Sequence, residues 1–209
     1  MIRFNRNVLM EKALPWALVF LQIGKTLLFF RGVDLSLSTP LLNVDFSFYY
    51  SGALKIHELL TRSGRAWGYD PFQMAGYPFV TSFSGSGYLF ALGAHWMSGF
   101  LSIGRSLLLL EFLVMLSFPF LAWLAVFVWS GDKNFSWTMF FVVTLTQGIV
   151  EPLSRLFIEK GLFPYQWAVF TVFCQVAFFW RWVRENTWRN WGLQTFFSVL
   201  APMIHSVAK

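Results

Sequence analysis

Residues 106–129, SLLLLEFLVMLSFPFLAWLAVFVW, form an unbroken apolar run with one charge, Glu111, and nothing else in the chain constrains its fold as much. A helix of that length rises about 36 Å, enough to cross the hydrocarbon core of a bilayer. Comparable runs occupy residues 14–30, 135–150, 167–183 and 191–205, those at 135–150 and 191–205 being short. Only 12% of the 209 residues are charged and 56% are hydrophobic, whereas soluble domains carry about a quarter charged residues. The expectation is an all-α, polytopic transmembrane protein, one membrane domain with about five spanning helices and no soluble domain to cut out.

The net charge of +6 does not point to nucleic acid, because the basic residues sit at the ends of apolar runs, where they set orientation and meet anionic lipid. The lone Cys174 excludes an intrachain disulfide or a cysteine metal site. The start, MIRFNRNVLMEK, resembles the basic region of a signal peptide. The run that follows is longer than a usual signal core and more runs come after it, so a retained first helix is expected.

Orientation turns on residues 87–104, GYLFALGAHWMSGFLSIG, which are interrupted by glycine, serine and His95. If this segment does not cross, Arg3, Arg6 and Lys12, the turn at Lys133, and the turn with Arg181, Arg184 and Arg189 all fall on the cytoplasmic side. Trp16, Trp129, Trp137, Trp180, Trp182, Trp188 and Trp191 then mark the inner interface as an aromatic belt. Residues 87–104 are therefore expected as a re-entrant or interfacial helix on the outer face. The N-terminus is cytoplasmic and the host is the inner or plasma membrane. Residues 31–104 become one long outer loop and residues 151–166 a shorter one.

Within the long loop, Asp45 at an N-cap, apolar spacing through Leu59 and Leu60, and Gly64 as a stop predict a helix. Residues 151–160, EPLSRLFIEK, place Glu151, Arg155 and Glu159 on one face of a second surface helix. Residues 67–78, WGYDPFQMAGYP, are too broken for a helix and read as a turn-rich lid. Trp67, Tyr69, Phe72 and Tyr77 anchor it in the interface, and Asp70 starts a turn before proline.

Few residues suggest chemistry. Asp45 is most simply a helix cap worth about 1 kcal/mol, and a carboxylate there is also placed to act as a base toward the bilayer surface. Lys25 and Glu111 both lie roughly 9 Å below the outer ends of their runs. The expectation is that they pair, or that Lys25 holds a lipid phosphate; the simpler alternative is that Lys25 snorkels and Glu111 is protonated. His57, His95 and His205 show no metal-ligand spacing, so no metal site is predicted. His57 reads as a helix-surface residue, and His205, ending the last helix, as a second polar candidate. Cys174 and Gln175 read as packing residues.

Four motifs then line up: DFSFYY early in the first loop, WGYDPFQMAGYP, GLFPYQWA, and a histidine after APMIH. Together they resemble the N-terminal part of bacterial multi-spanning proteins related to the GT-C superfamily of membrane glycosyltransferases. These include the family labelled 6-pyruvoyl-tetrahydropterin synthase-related. In GT-C enzymes an acidic residue of the first outer loop is catalytic base or metal ligand, and the resemblance implies that role for Asp45. It implies a polyprenyl-phosphate-linked sugar as donor and a basic residue neutralising its phosphate, with Lys25, Trp67, Tyr69, Asp70, Tyr77 and His205 as substrate-binding candidates. The cofactor it allows is a divalent metal ion. GT-C proteins have more spans, so a chain ending at Lys209 is expected to be a natural short form or a fragment. The alternative is a non-catalytic membrane subunit that binds lipid or other membrane subunits, with a transporter third.

Overall fold

The computed structural model describes residues 6–30, 45–65, 67–70, 77–79, 87–149 and 163–204. Among these the chain is almost wholly helical: α1 (Arg6–Phe29), α2 (Asp45–Ser63), α3 (Tyr88–Met97), α4 (Ile103–Ser130), α5 (Lys133–Ile149), α6 (Phe163–Glu185) and α7 (Trp188–Ile204). The five apolar runs fall on α1, α4, α5, α6 and α7. Residues 151–160, expected as a surface helix, lie outside the described residues. Among the described residues α4 alone is long and apolar enough to cross a membrane, and α1 carries a shorter apolar stretch, Ala13–Leu28.

The ends of α4 follow from local chemistry. Ser102 caps its start, its side chain accepting from the Arg105 N–H at 3.3 Å. Gly131 ends it in the left-handed region (φ 73°), a conformation that costs glycine little. Asp132 then opens α5, its Oδ1 accepting from the N–H groups of Asn134 (2.8 Å) and Phe135 (3.2 Å). Two adjacent residues thus reverse the chain.

Helix α4 is the hub, packing on α1, α2, α3, α5 and α6, while α7 packs on α6 and α3. Pro119 lies inside α4; having no N–H, it leaves the carbonyl four residues back, that of Met115, without its helical donor. Two buried glutamines supply donors instead: Gln22 Nε2 of α1 at 3.1 Å and Gln147 Nε2 of α5 at 2.8 Å. Gln22 Nε2 also donates to Gln147 Oε1 at 2.9 Å. One proline therefore fixes where α1 and α5 meet α4.

The bundle helices turn polar and small groups inward. In α1, Gln22 and Thr26 are 1% and 0% exposed while Phe20 and Leu28 are each 68% exposed. In α5, Ser136, Thr144 and Gln147 are buried and Phe141, Val142 and Leu145 are exposed. In α6, Thr171, Cys174 and Ala177 face in and Phe173, Val176, Phe179 and Val183 face out. Small inward residues let helix backbones approach closely.

The pair α2 and α3 is built the other way. Phe46, Tyr49, Ala53 and Ile56 form a buried stripe at helical spacing, in one core with Phe90, Ala91 and Ala94 of α3 and Ile103, Leu107 and Leu108 of α4. On the more exposed side of α2, Glu58 pairs with Lys55 (3.2 Å) and Arg62 (2.8 Å). Gly87, before α3, has φ 80°, and a Cβ there would lie 2.5 Å from the Tyr49 ring. Its N–H donates to the Ile204 carbonyl at 3.1 Å, tying α3 to the end of α7.

The two ends of the bundle differ. At one, Leu14, Pro15 and Leu18 lie beside Lys133, Asn134 and Trp137, and residues 128–131 face Trp180, Arg181, Arg184 and Glu185. The α2–α3 cap lies at the other, where Phe30 meets Phe112 edge-on with ring centroids 5.6 Å apart.

Candidate functional site

Asp45 and the aromatic candidates fall on the cap helix and the hairpin beside it, and Lys25 lies on α1. Asp45 is the first residue of α2, in the turn whose unpaired N–H groups favour a carboxylate. The side chains of Asp45, Tyr69, Asp70 and Tyr77, and the whole of His205, lie outside the described residues. In the aromatic stretch, β1 (Gly68–Asp70) pairs antiparallel with β2 (Tyr77–Phe79), opposing Tyr69 to Pro78 and Asp70 to Tyr77. Within the segment expected as a turn-rich lid the structure adds a short hairpin, which three-residue strands do not announce in sequence.

The hairpin is seated on α2, since a Cβ on Gly68 would lie 2.8 Å from Leu59 Cδ2. Trp67 beside it is exposed, with the Arg65 guanidinium 5.4 Å from its ring centroid. From Asp45 to Leu59 along α2 is about 21 Å. The fold therefore places Trp67 and Asp45 at opposite ends of the cap helix and does not bring them together.

Lys25 does not pair with Glu111. Its ammonium donates to the backbone carbonyls of Thr144 and Leu145 in α5, the second at 3.4 Å. The cause is rotational: Gln22, Lys25 and Thr26 share one face of α1, and Gln22 already bonds Gln147 of α5. Glu111 is fully buried on α4, and neither of its oxygens has a hydrogen-bond partner among the described residues.

A contact that sequence reasoning missed joins α2 to α3. His57, expected on the helix surface, is half-buried, and its Nδ1 lies 3.0 Å from Nδ1 of His95. The rings are tilted by 54° with centroids 5.1 Å apart. Ser98 Oγ is 3.3 Å from the same His57 nitrogen, and it is held at the end of α3 by donating to the His95 carbonyl at 2.5 Å. The histidines are far apart in the chain and carry no motif; only the helical phase of His57, next to Ile56 on the inner stripe, hinted at the contact.

No protein-family model matches the chain, and no curated protein or solved structure matches it significantly. Among the described residues no three of His, Cys, Asp and Glu converge as a full metal ligand set. They therefore offer no carboxylate-built site for the divalent ion that the GT-C resemblance allows.

Proposed function

We propose that the chain is a polytopic membrane protein and the N-terminal, Asp45-bearing part of a GT-C-like glycosyltransferase that uses a polyprenyl-phosphate-linked sugar at the outer face. The observation that carries the membrane half is the burial pattern of α1, α5 and α6, where Phe20, Leu28, Phe141, Leu145, Phe173 and Phe179 point out while Gln22, Thr26, Thr144, Gln147 and Thr171 point in. Apolar groups on that scale are stable outside a bundle only against hydrocarbon. The α3 helix, ten residues long, rises about 15 Å and is too short to cross, which supports an interfacial role. The gathering of the start of α1, the α4–α5 turn and the end of α6 at one end supports a cytoplasmic N-terminus with the cap outside.

The enzymatic half rests on Asp45 opening a helix that is fixed to the bundle by its buried stripe rather than hanging in a loose loop. In this reading the Asp45 carboxylate takes the proton of an acceptor hydroxyl, and the acceptor oxygen bonds to the sugar's anomeric carbon. The bond from that carbon to the phosphate oxygen breaks, and polyprenyl phosphate leaves with the electron pair. In this reading the donor phosphate is met by Lys25, two of whose three donors hold carbonyls of α5.

The test is transfer from a polyprenyl-phosphate sugar in membranes containing the full chain. Asp45→Asn should lower it by about 10²-fold or more, the scale of general-base catalysis, with unchanged accumulation in the membrane. Unchanged transfer would remove Asp45 from the reaction. A second reading, a non-catalytic subunit, is favoured by the apolar groove of about 650 Å³ between α4, α5 and α6, lined by Ala122, Val126, Met139, Phe173 and Val176 among others. Copurification with membrane proteins in fixed ratio, together with an inert Asp45→Asn, would select it.

A further inference from the structure

Two imidazole nitrogens and a hydroxyl from separate elements meet at the contact of α2 with α3, outside the residues assigned to sugar transfer. We propose that His57, His95 and Ser98 bind a divalent transition metal, copper(II) or nickel(II) in preference to zinc, and that the ion pins the cap helix α2 to α3.

The spacing suits one coordination geometry without large movement of the rings. Metal–imidazole bonds of about 2.0–2.1 Å put two ligand nitrogens about 3.3 Å apart at the tetrahedral angle but about 2.9–3.0 Å apart near a right angle. The separation of 3.0 Å is that of a hydrogen bond between the rings, and it is also close to the right-angle spacing of square-planar and octahedral ions. Copper(II) also stands at the top of the affinity order for nitrogen and oxygen sites.

The surroundings favour a cation. His95 lies in the last turn of α3, where the helix dipole presents its negative end. Ser98 Oγ lies beside His57 Nδ1 and can complete a third position. Both rings are only half-buried, which leaves the remaining positions to water. On the same stretch of α2, Glu58 pairs with both Lys55 and Arg62 and offsets one of their two positive charges. His205 is the chain's one other histidine and serves as the control.

The experiment loads the full chain, purified without a histidine tag and held in lipid nanodiscs, with Cu²⁺, then counts bound copper after gel filtration and records the electron paramagnetic resonance spectrum. One copper per chain with hyperfine structure from two equatorial nitrogens is expected. His57→Gln and His95→Gln should each weaken uptake by about tenfold or more, and His205→Gln should leave it unchanged. No uptake by the wild type, a spectrum without two nitrogens, or full uptake by the double His57→Gln, His95→Gln variant would each overturn the proposal and leave the pair a hydrogen bond. The wild-type spectrum decides even if a variant fails to fold. The result is independent of the sugar-transfer reading, because it is scored on copper and not on activity.

Discussion

Helices α2 and α6 both pack on α4, yet they bury opposite kinds of side chain. The α2 helix hides Phe46, Tyr49 and Ile56 and carries Lys55, Glu58 and Arg62 on its more exposed side; α6 hides mainly small groups, Thr171, Cys174 and Ala177, with the one ring of Phe178, and shows Phe173, Val176 and Phe179. A single outer solvent cannot favour both. Water outside α2 stabilises its large buried rings by about 1.5–3 kcal/mol each. In the proposed membrane reading, hydrocarbon outside α6 would remove that drive and leave close packing of small groups to hold the helix.

The sharpest way to break this contrast is to truncate one phenylalanine on each helix. Phe46→Ala should cost about 3–5 kcal/mol, the range for an aromatic lost from a packed core. Phe173→Ala, on the outward face of α6, should stay within about 0.5 kcal/mol. Thermal unfolding of both variants in lipid nanodiscs compares them directly, and equal losses would end the idea of two solvents.

This contrast also explains how much was legible beforehand. Long apolar runs gave the helices, and the Gly131–Asp132 stop and start is written in residue type. The partners of Lys25 were not legible, because backbone carbonyls carry no sequence signature. Nor was the meeting of His57 with His95, which depends on the angle at which α3 docks on α2. Pro119 lies between these cases: a freed carbonyl at Met115 follows from the sequence, but which donors reach it is decided by tertiary packing. For the proposed catalytic site, the position of Asp45 at the head of a helix was readable, whereas the 21 Å or so that separate it from the seat of the hairpin were not.

A middle-sized effect tests the polar interior of the bundle, which the cap lacks. Gln147→Leu removes one of two donors to the Met115 carbonyl and the acceptor for Gln22, and should cost about 1–3 kcal/mol as buried polar groups lose partners. Pro119→Ala restores an N–H within the helix for that same carbonyl. In the Pro119→Ala background the cost of Gln147→Leu should therefore fall by about 0.5 kcal/mol or more, measured as the coupling in a double-mutant cycle. Strict additivity would mean that the proline and the glutamines do not share the carbonyl.

The smallest effect lies at the end away from the cap. The ion pairs of α2 join residues of one helix, but Glu185 links two: Oε1 accepts from Arg181 Nε of α6 at 2.8 Å and Oε2 from Asn190 Nδ2 of α7 at 2.9 Å. The Asn190 amide, and then the Arg181 guanidinium, hold its carboxyl below the usual glutamate range. A lowered folded-state value means that the link is fully present above the ordinary glutamate pKa and is lost as pH falls through the lower one. Because Glu185 is exposed to solvent, the gain is small and screened by salt. Amide exchange at the α6–α7 turn, where Asn186 adopts φ 47°, should be faster in Glu185→Gln than in the wild type at neutral pH, and the two should converge on acidification. A difference that persists in acid would show that the Glu185 side chain acts at the turn without its charge, and no difference at neutral pH would show that the turn does not depend on the bridge between the two helices.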